Sequence, residues 1–425
     1  MKKHLVKNLL CSSLLAFGVS SFSMAAEDTI KVGVLHSLSG SMAISESALK
    51  DTVLMLIDEQ NQKGGVLGKK LEPVVVDPAS NWPLFAEKAR ELLAKDKVAV
   101  TFGGWTSVSR KSVLPVYEEL NGILFYPVQW EGQESSKNIF YTGATPNQHA
   151  IPAVDYLLAQ GIQRFALLGT DYVYPRTTNK LLEAYLQTKG IDKKDIMVNY
   201  TPFSFSDWQS IVSDVKKFSA EGKKTAVIST INGDANVPFY KELANQNVTP
   251  EQLPVIAFSV GEQELSGIDT KPLVGHLAAW NYFQSVSTPE NETFIQSWKR
   301  YKKDEKAVTN DPMEATYIGF NMWVKAVEKA GTTDLEAVQK ALIGVEVPNL
   351  SGGMAKMLPS HDISKPVLIG EIQDDGQFAI VEQTDLVDGE AWSPLLPESK
   401  NLVADWSEAV QCGAFDKVAK VCTTK

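Results

Sequence analysis

From Ile30 onward, short runs of β-branched and aromatic residues alternate with amphipathic helical stripes, and this alternation limits the possible folds more than any other feature of the chain. The run Ile30 to Leu35 is followed by Leu49, Val53, Leu56 and Ile57 on one helical face, closed by Gly64 and Gly65. Leu71 to Val76 is the next run; Phe85, Ala89, Leu92 and Leu93 form another stripe. A strand at Val98 to Phe102, a helix from Ser107 to Leu120 and a strand at Ile123 to Tyr126 continue the series. A repeated βα unit of this kind calls for a parallel sheet covered by helices on both faces.

The series restarts after Tyr141 to Thr145. A helix from Gln148 to Ala159 precedes expected strands at Phe165 to Leu168, Ala226 to Thr230 and Val255 to Ser259. Leu277 to Phe283 reads as a strand that leads into helices around Phe294 to Lys303 and Glu314 to Ala330, which do not extend the second series. At 425 residues the chain is long enough for two cores. The expectation is an α/β fold of two discontinuous Rossmann-like lobes with parallel sheets. The first lobe takes 27–141 plus 282–350, the second 142–281 plus 351–390, and a tail occupies 391–425 as a loop and one amphipathic helix. Three crossings between the lobes would form a hinge.

The first residues read as an export signal. Lys2 and Lys3 precede an apolar stretch from about Leu9 to Phe22, and small residues at Ser23 and Ala25 suit cleavage after Ala25. Cys11 lies inside that stretch and goes with it. Periplasmic location is therefore expected, and in an oxidising compartment the remaining pair, Cys412 and Cys422, reads as a disulfide that staples the tail. A net charge of −10 argues against nucleic-acid partners.

In open parallel sheets, ligands bind beyond the carboxyl ends of the strands. That rule nominates Gly103 to Ser107, Tyr126 to Glu131, Gly169 to Tyr174, Ile231 to Asp234, and Val260 to Glu262. Trp105, Trp130, Tyr126, Tyr172 and Tyr174 can grip a flat solute. Thr106 or Ser107 can donate to a carbonyl, while Asp234, Glu262 and the phenol oxygens can accept N–H bonds. Each residue also has a plain structural use: the tryptophans as filling, Ser107 as the cap of its helix, Asp234 and Glu262 as solvated loop acids. Arg110 and Arg176 fall inside helices, where surface pairing is expected, so no cation is assigned to a ligand carboxylate. The set leans toward a small, planar, neutral amide. No metal site, cofactor or catalytic group is expected: His4, His36, His149, His276 and His361 are scattered, and there is no G-x-S-x-G, phosphate loop or G-x-G-x-x-G.

Several stretches carry a family resemblance: Gly104-Trp105-Thr106-Ser107 with Arg110-Lys111, Leu124 to Gly132, Tyr141 to Gln148, Thr170 to Arg176, Ser229 to Asp234, and Leu277 to Phe283. Together they resemble the amide-binding branch of the branched-chain amino-acid-binding protein family, type I periplasmic binding proteins, and within it the urea-binding components of bacterial importers. The resemblance implies two discontinuous lobes joined by three strands. It implies ligand contacts at Trp105, Ser107, Tyr126 and Val128, with Gln129 and Trp130 close by, and at Tyr172, with Tyr174 and Asp234 behind it. Amide-sensing relatives carry Thr where this chain has Val128, so another group must replace that hydroxyl. The implied role is a monomeric periplasmic receptor that delivers urea or a short amide to the permease of an ABC importer. The alternatives are a receptor for another amide or a branched-chain amino acid, an amide sensor, or an amidohydrolase.

Overall fold

A computed structural model describes residues 29–220, 222–397, 414–416 and 421–423. The expected export signal and Cys412 of the expected bridge lie outside the described residues; in the tail, expected as a loop and one helix, Ala414–Asp416 pairs antiparallel with Val421–Thr423. Among the described residues, no helix is long and apolar enough to cross a membrane.

The first sheet contains β1 (Ile30–Leu35), β2 (Leu71–Val76), β3 (Val100–Gly103), β4 (Leu124–Tyr126) and β5 (Ile139–Tyr141), in the order β2-β1-β3-β4-β5 and parallel throughout. Its connecting helices are α1 (Ala43–Gln62), α2 (Trp82–Arg90) and α3 (Ser107–Glu119). The second sheet begins with β6 (Arg164–Thr170), β7 (Ile196–Thr201), β8 (Thr225–Thr230), β9 (Val255–Ala257) and β10 (Leu277–Trp280). Around it lie α4 (Ala150–Ala159), α5 (Val173–Thr188), α6 (Gln209–Ser219), α7 (Asn236–Asn245) and the single turn α8 (Glu262–Leu265). The chain then returns to the first lobe as α9 (Pro289–Lys302), α10 (Asp311–Ala330) and α11 (Leu335–Leu342), followed by the hairpin β11 (Glu346–Pro348) and β12 (Met354–Lys356). After β13 (Ser364–Lys365), β14 (Leu368–Ile372) and β15 (Phe378–Gln383) add antiparallel edges to the second sheet, and β16 (Val387–Asp388) pairs back with β13. The second sheet thus reads β15-β14-β10-β9-β8-β6-β7.

Burial follows the layering that parallel sheets require. Every residue of β3, β6 and β8 is buried, as expected of strands covered on both faces. Alternation along β6 sends Ala166 and Leu168 into one core and Phe165 and Leu167 into another, on opposite faces of the second sheet. The first lobe has its own core, which runs from Ile30 to Tyr141 and resumes from Tyr282 to Ile363. The segment 351–390, expected in the second lobe, therefore divides: Ala355, Met357 and Ile363 pack in the first core, while Leu368, Ile372 and Phe378 pack in the second. The β11–β12 hairpin accounts for this, because its buried residues Val347 and Ala355 face the first core.

Local signals set the helix ends. Asn310 caps α10 by accepting from the Met313 N–H at 3.2 Å, with Pro312 in the first turn, and Gly331 ends the helix at φ 66°. The helix therefore starts ahead of the expected Glu314. The three lobe crossings meet at Asn281, whose side-chain amide donates to Gln148 O at 2.9 Å and Pro366 O at 2.7 Å. Its carbonyl accepts from the Ser351 hydroxyl at 2.6 Å.

Candidate functional site

The carboxyl ends of the two sheets face a shared seam. Helix α1 approaches the second lobe, where the Ser45 hydroxyl donates to Glu264 Oε1 at 2.7 Å. On the same side Asp234 N donates to Ser41 O at 3.4 Å. A Cβ at Gly233 would lie 2.7 Å from Ser41 O, so glycine lets the two backbones approach. Elsewhere along the seam, Gln129 Nε2 donates to Phe258 O and to the Ser259 hydroxyl, both at 2.7 Å and all buried. Tyr172, Val173 and Tyr174 form a small apolar cluster that reaches Val108 in α3. The lobes are closed on each other.

The loop after β3 supplies Trp105, Thr106 and Ser107. Thr106, not Ser107, caps α3: its hydroxyl accepts from the Ser109 N–H at 3.1 Å. Ser107 is thereby free for other work. Its hydroxyl donates to Glu131 Oε2 and accepts from Arg110 Nη1 at 3.0 Å. The surface pairing expected for Arg110 is corrected, since Arg110 is buried. Its Nη2 donates to Glu131 Oε1 at 3.0 Å and its Nε to Glu134 Oε1 at 2.8 Å. The guanidinium lies 4.7 Å from the Tyr126 ring centroid and 4.9 Å from that of Trp130. Lys111 Nζ completes the cluster, 2.8 Å from Glu134 and 3.6 Å from Glu131. Burial pushes the Glu134 carboxyl up, but Arg110 and Lys111 more than offset this and hold it down at about 2. Arg176 does pair at the surface, with Asp171 at 2.6 Å.

The aromatic residues are buried around this cluster. Tyr126 donates its hydroxyl to Trp105 O, and Trp130 stacks on Tyr141 with centroids 4.0 Å apart and planes at 11°. Val128 is buried, and a Cβ at Gly143 would lie 2.1 Å from its carbonyl. In the second lobe Tyr172 stands just before α5, its ring centroid 4.9 Å from that of Phe203 and 6.3 Å from that of Tyr174. Burial pushes the phenols of Tyr126, Tyr172 and Tyr174 up, so all three remain neutral hydroxyls at physiological pH. The electrostatic environment of Tyr172 includes Tyr126, Glu131 and Arg110, and that of Tyr174 includes Gln129, Glu131 and Ser259.

Three buried polar atoms on these segments lack hydrogen-bond partners, Trp105 Nε1, Trp130 Nε1 and Gln129 Oε1, whereas the Tyr174 hydroxyl lies against the Gln129 and Ser259 side chains. Buried polar groups are ordinarily satisfied, and such a group at a seam marks where a solute could bond.

Two nominated acids stand apart from this group. The Asp234 side chain is exposed and accepts from the Ser204 hydroxyl at 2.9 Å. Glu262 is buried and turned toward the hinge, where Oε1 accepts from Gln284 N at 2.6 Å. Burial pushes its carboxyl up to about 8. Both loops follow strand ends, β8 and β9, but α8 turns Glu262 toward Gln284. Glu131, Glu134 and Ser259 were not singled out, because their partners lie in distant sequence and leave no periodic signal.

A family model described as periplasmic binding protein domain matches residues 30–398. Leu/Ile/Val-binding protein homolog 7 of Brucella melitensis biotype 1 is 24% identical over 406 residues, covering 90% of this chain and 96% of that protein. Among solved structures, a solute-binding protein of an ABC transporter from Rhodopseudomonas palustris HaA2, in complex with p-hydroxybenzoic acid, superposes with a TM-score of 0.76. It is 22% identical, and the match covers 86% of this chain and 99% of that one. The leucine-binding protein LivK of Thermotoga maritima MSB8 superposes with a TM-score of 0.70 at 18% identity, covering 84% of this chain and 99% of that one. Two lobes of parallel sheet closed on one seam, together with the match over residues 30–398, identify this chain as a member of the type I, Leu/Ile/Val-binding-like periplasmic binding protein family.

Proposed function

We propose that this protein captures urea, or a closely related short amide, in the seam between its lobes and delivers it from the periplasm to an ABC importer. Family membership carries the coarser half of this reading, a periplasmic solute-binding protein for a small ligand. One observation carries the ligand class. Arg110, which lies over the Tyr126 and Trp130 rings, is engaged by Glu131, Glu134 and Ser107, and the unpartnered buried atoms on the strand-end loops around it are neutral: two indole N–H donors and an amide oxygen. An amide oxygen can accept from an indole, and amide N–H groups can donate to Gln129 Oε1 and a tyrosine oxygen. Gln129 also stands beside Val128 and would supply the polar contact that valine lacks.

In this reading Trp105, Thr106, Ser107, Tyr126, Val128, Gln129 and Trp130 line the first-lobe wall, with Tyr172 and Tyr174 on the second. Asp234 and Glu262 act at the rim and the hinge. Closure can be driven only by contacts stronger in the closed state, so the ligand must touch both lobes.

A second reading has one observation in its favour. Tyr172 offers no side-chain cap to α5, so the first-turn N–H groups of that helix could receive a carboxylate, from a branched-chain amino acid or a benzoate such as the relatives' names mention. A thermal-shift series with urea, acetamide, leucine and 4-hydroxybenzoate separates the two. A ligand at 100 times its dissociation constant should stabilise by about 2.7 kcal/mol. Stabilisation by urea or acetamide supports the amide reading; stabilisation by leucine or 4-hydroxybenzoate alone reverses it. Ammonia release from urea would mark an amidohydrolase instead.

A further inference from the structure

We propose that the lobes take up a proton as they close, held by Glu262 of α8 and Asp311 of α10 together, so that the ligand is gripped more tightly as the medium turns acidic. The inference rests on the reading that a ligand closes the lobes, whatever that ligand is.

The two acids belong to different lobes. Helix α8 follows β9, and its Leu265 packs in a core of the second lobe, whereas α10 sends Met313 and Ile318 into the core of the first. The single turn of α8 is wedged between two first-lobe helices. On one side the Ser45 hydroxyl of α1 donates to Glu264 Oε1; on the other, a Cβ at Gly261 would lie 3.5 Å from the Cβ of Asn310, the cap of α10. Glu262 and Asp311, the next residue of each segment, are both buried. The lobe crossing at Asn281 to Gln284 binds both through its backbone: Glu262 Oε1 accepts from Gln284 N at 2.6 Å, and Asp311 Oδ2 accepts from Asn281 N at 2.8 Å.

The charges at this contact do not balance. Lys365 Nζ stands 2.6 Å from Glu314 Oε2 and 4.0 Å from Asp311 Oδ2, so a single ammonium serves two carboxylates before Glu262 is counted. The charged neighbours that act on Glu262 are Glu264 on its own turn and Asp311 across the lobes, both acids. Tyr282, on the crossing, is a neutral phenol that donates to Asn291 Oδ1 at 2.6 Å. A further anion without a cation is strongly disfavoured in a site closed to water, and a proton removes it. Burial accordingly pushes the Glu262 carboxyl up to about 8, and burial raises Asp311 although Lys365 offsets part of the rise. Rotation that parts the lobes draws α8 away from α10 and admits water, so both acids return to the ordinary carboxylate range of about 4. The closed form therefore binds more protons than the open form between those values. Closure is favoured at low pH, and the advantage is lost as pH rises to about 8.

The experiment is calorimetric titration of the protein with urea in two buffers of different ionisation enthalpy, which counts the protons taken up per ligand. It is run from about pH 5.5 to 8.5, a range in which urea itself does not titrate, and repeated on Glu262→Gln and Asp311→Asn. Wild-type protein should take up at least about half a proton at about pH 6.5, and its affinity should fall by up to about tenfold per pH unit before levelling above about pH 8. Glu262→Gln keeps the shape and the acceptor for Gln284 N. A merely structural role for Glu262 leaves the pH profile as it is, whereas the proposed role flattens it. Asp311→Asn takes away the charge facing Glu262 and should lower the uptake; it decides if Glu262→Gln does not fold. Wild-type uptake below about half a proton at about pH 6.5, or a folded Glu262→Gln variant that keeps the wild-type profile, overturns the proposal and leaves the urea reading standing. Protein that refuses urea and takes leucine or 4-hydroxybenzoate defeats the urea reading, and the same proton count with that ligand then decides this proposal.

Discussion

Replacing Ser45 with alanine tests lobe closure at a point away from the proposed ligand contacts. Ser45 belongs to α1 of the first lobe, and its hydroxyl donates to Glu264 Oε1 across the seam at 2.7 Å, with both side chains buried. Opening the lobes breaks this bond and returns both groups to water. The other oxygen of Glu264 accepts from Gly261 N at 3.0 Å, so alanine at 45 leaves Oε1 without its Ser45 donor when the lobes close. A hydrogen bond to a charged group contributes about 1.5–3 kcal/mol net. That amount comes off the closed state alone, because the open state never makes the bond. Urea affinity should therefore fall by roughly 10- to 150-fold. Calorimetric titration reads the affinity, and thermal unfolding without ligand reads the fold. The reasoning fails if affinity changes by less than about twofold, or if the ligand-free protein loses as much stability as the loaded one.

Other outcomes follow from the same geometry. Burial raises the Glu262 carboxyl to about 8 and Asp362 to about 7, so both contribute stability fully below the ordinary carboxylate range and lose it as pH rises through those values. Unfolding midpoints should therefore fall between about pH 5 and 9, and Glu262→Gln should flatten that slope; an unchanged slope excludes Glu262 as its source. Gly143→Ala places a Cβ 2.1 Å from the Val128 carbonyl, and should cost about 1–3 kcal/mol in chemical denaturation while weakening urea at least about tenfold. Asn281→Ala removes the donors to Gln148 O and Pro366 O, and should cost about 2–4 kcal/mol by the same measurement. Full stability in that variant would show that the crossings are held elsewhere.

The central strands were legible in sequence because each is a compact apolar run, as in β1 and β8. Two were not. Strand β5 is three residues long, and β7 is a half-exposed edge strand whose Asn199 and Tyr200 interrupt the apolar signal. The antiparallel strands β14 and β15 follow the third lobe crossing, after the βα rhythm has ended. The aromatic residues at the seam were found because topology, not local pattern, nominates strand ends. The Arg110 cluster was missed because Glu131 and Glu134 lie 21 and 24 residues away and reach Arg110 only through the fold. Helical spacing alone makes Arg110 look like a surface residue. Thr106 and Ser107 differ by a single position and are both good caps, so only the Ser109 N–H could decide between them.

Small-angle scattering of the protein, first ligand-free and then with saturating urea well below denaturing concentration, tests most directly whether a solute holds the two lobes together. The account predicts a smaller radius of gyration with urea, and no such change in Ser45→Ala until more urea is added. An identical radius with and without urea, in protein that calorimetry shows to have bound it, would contradict enclosure between the lobes.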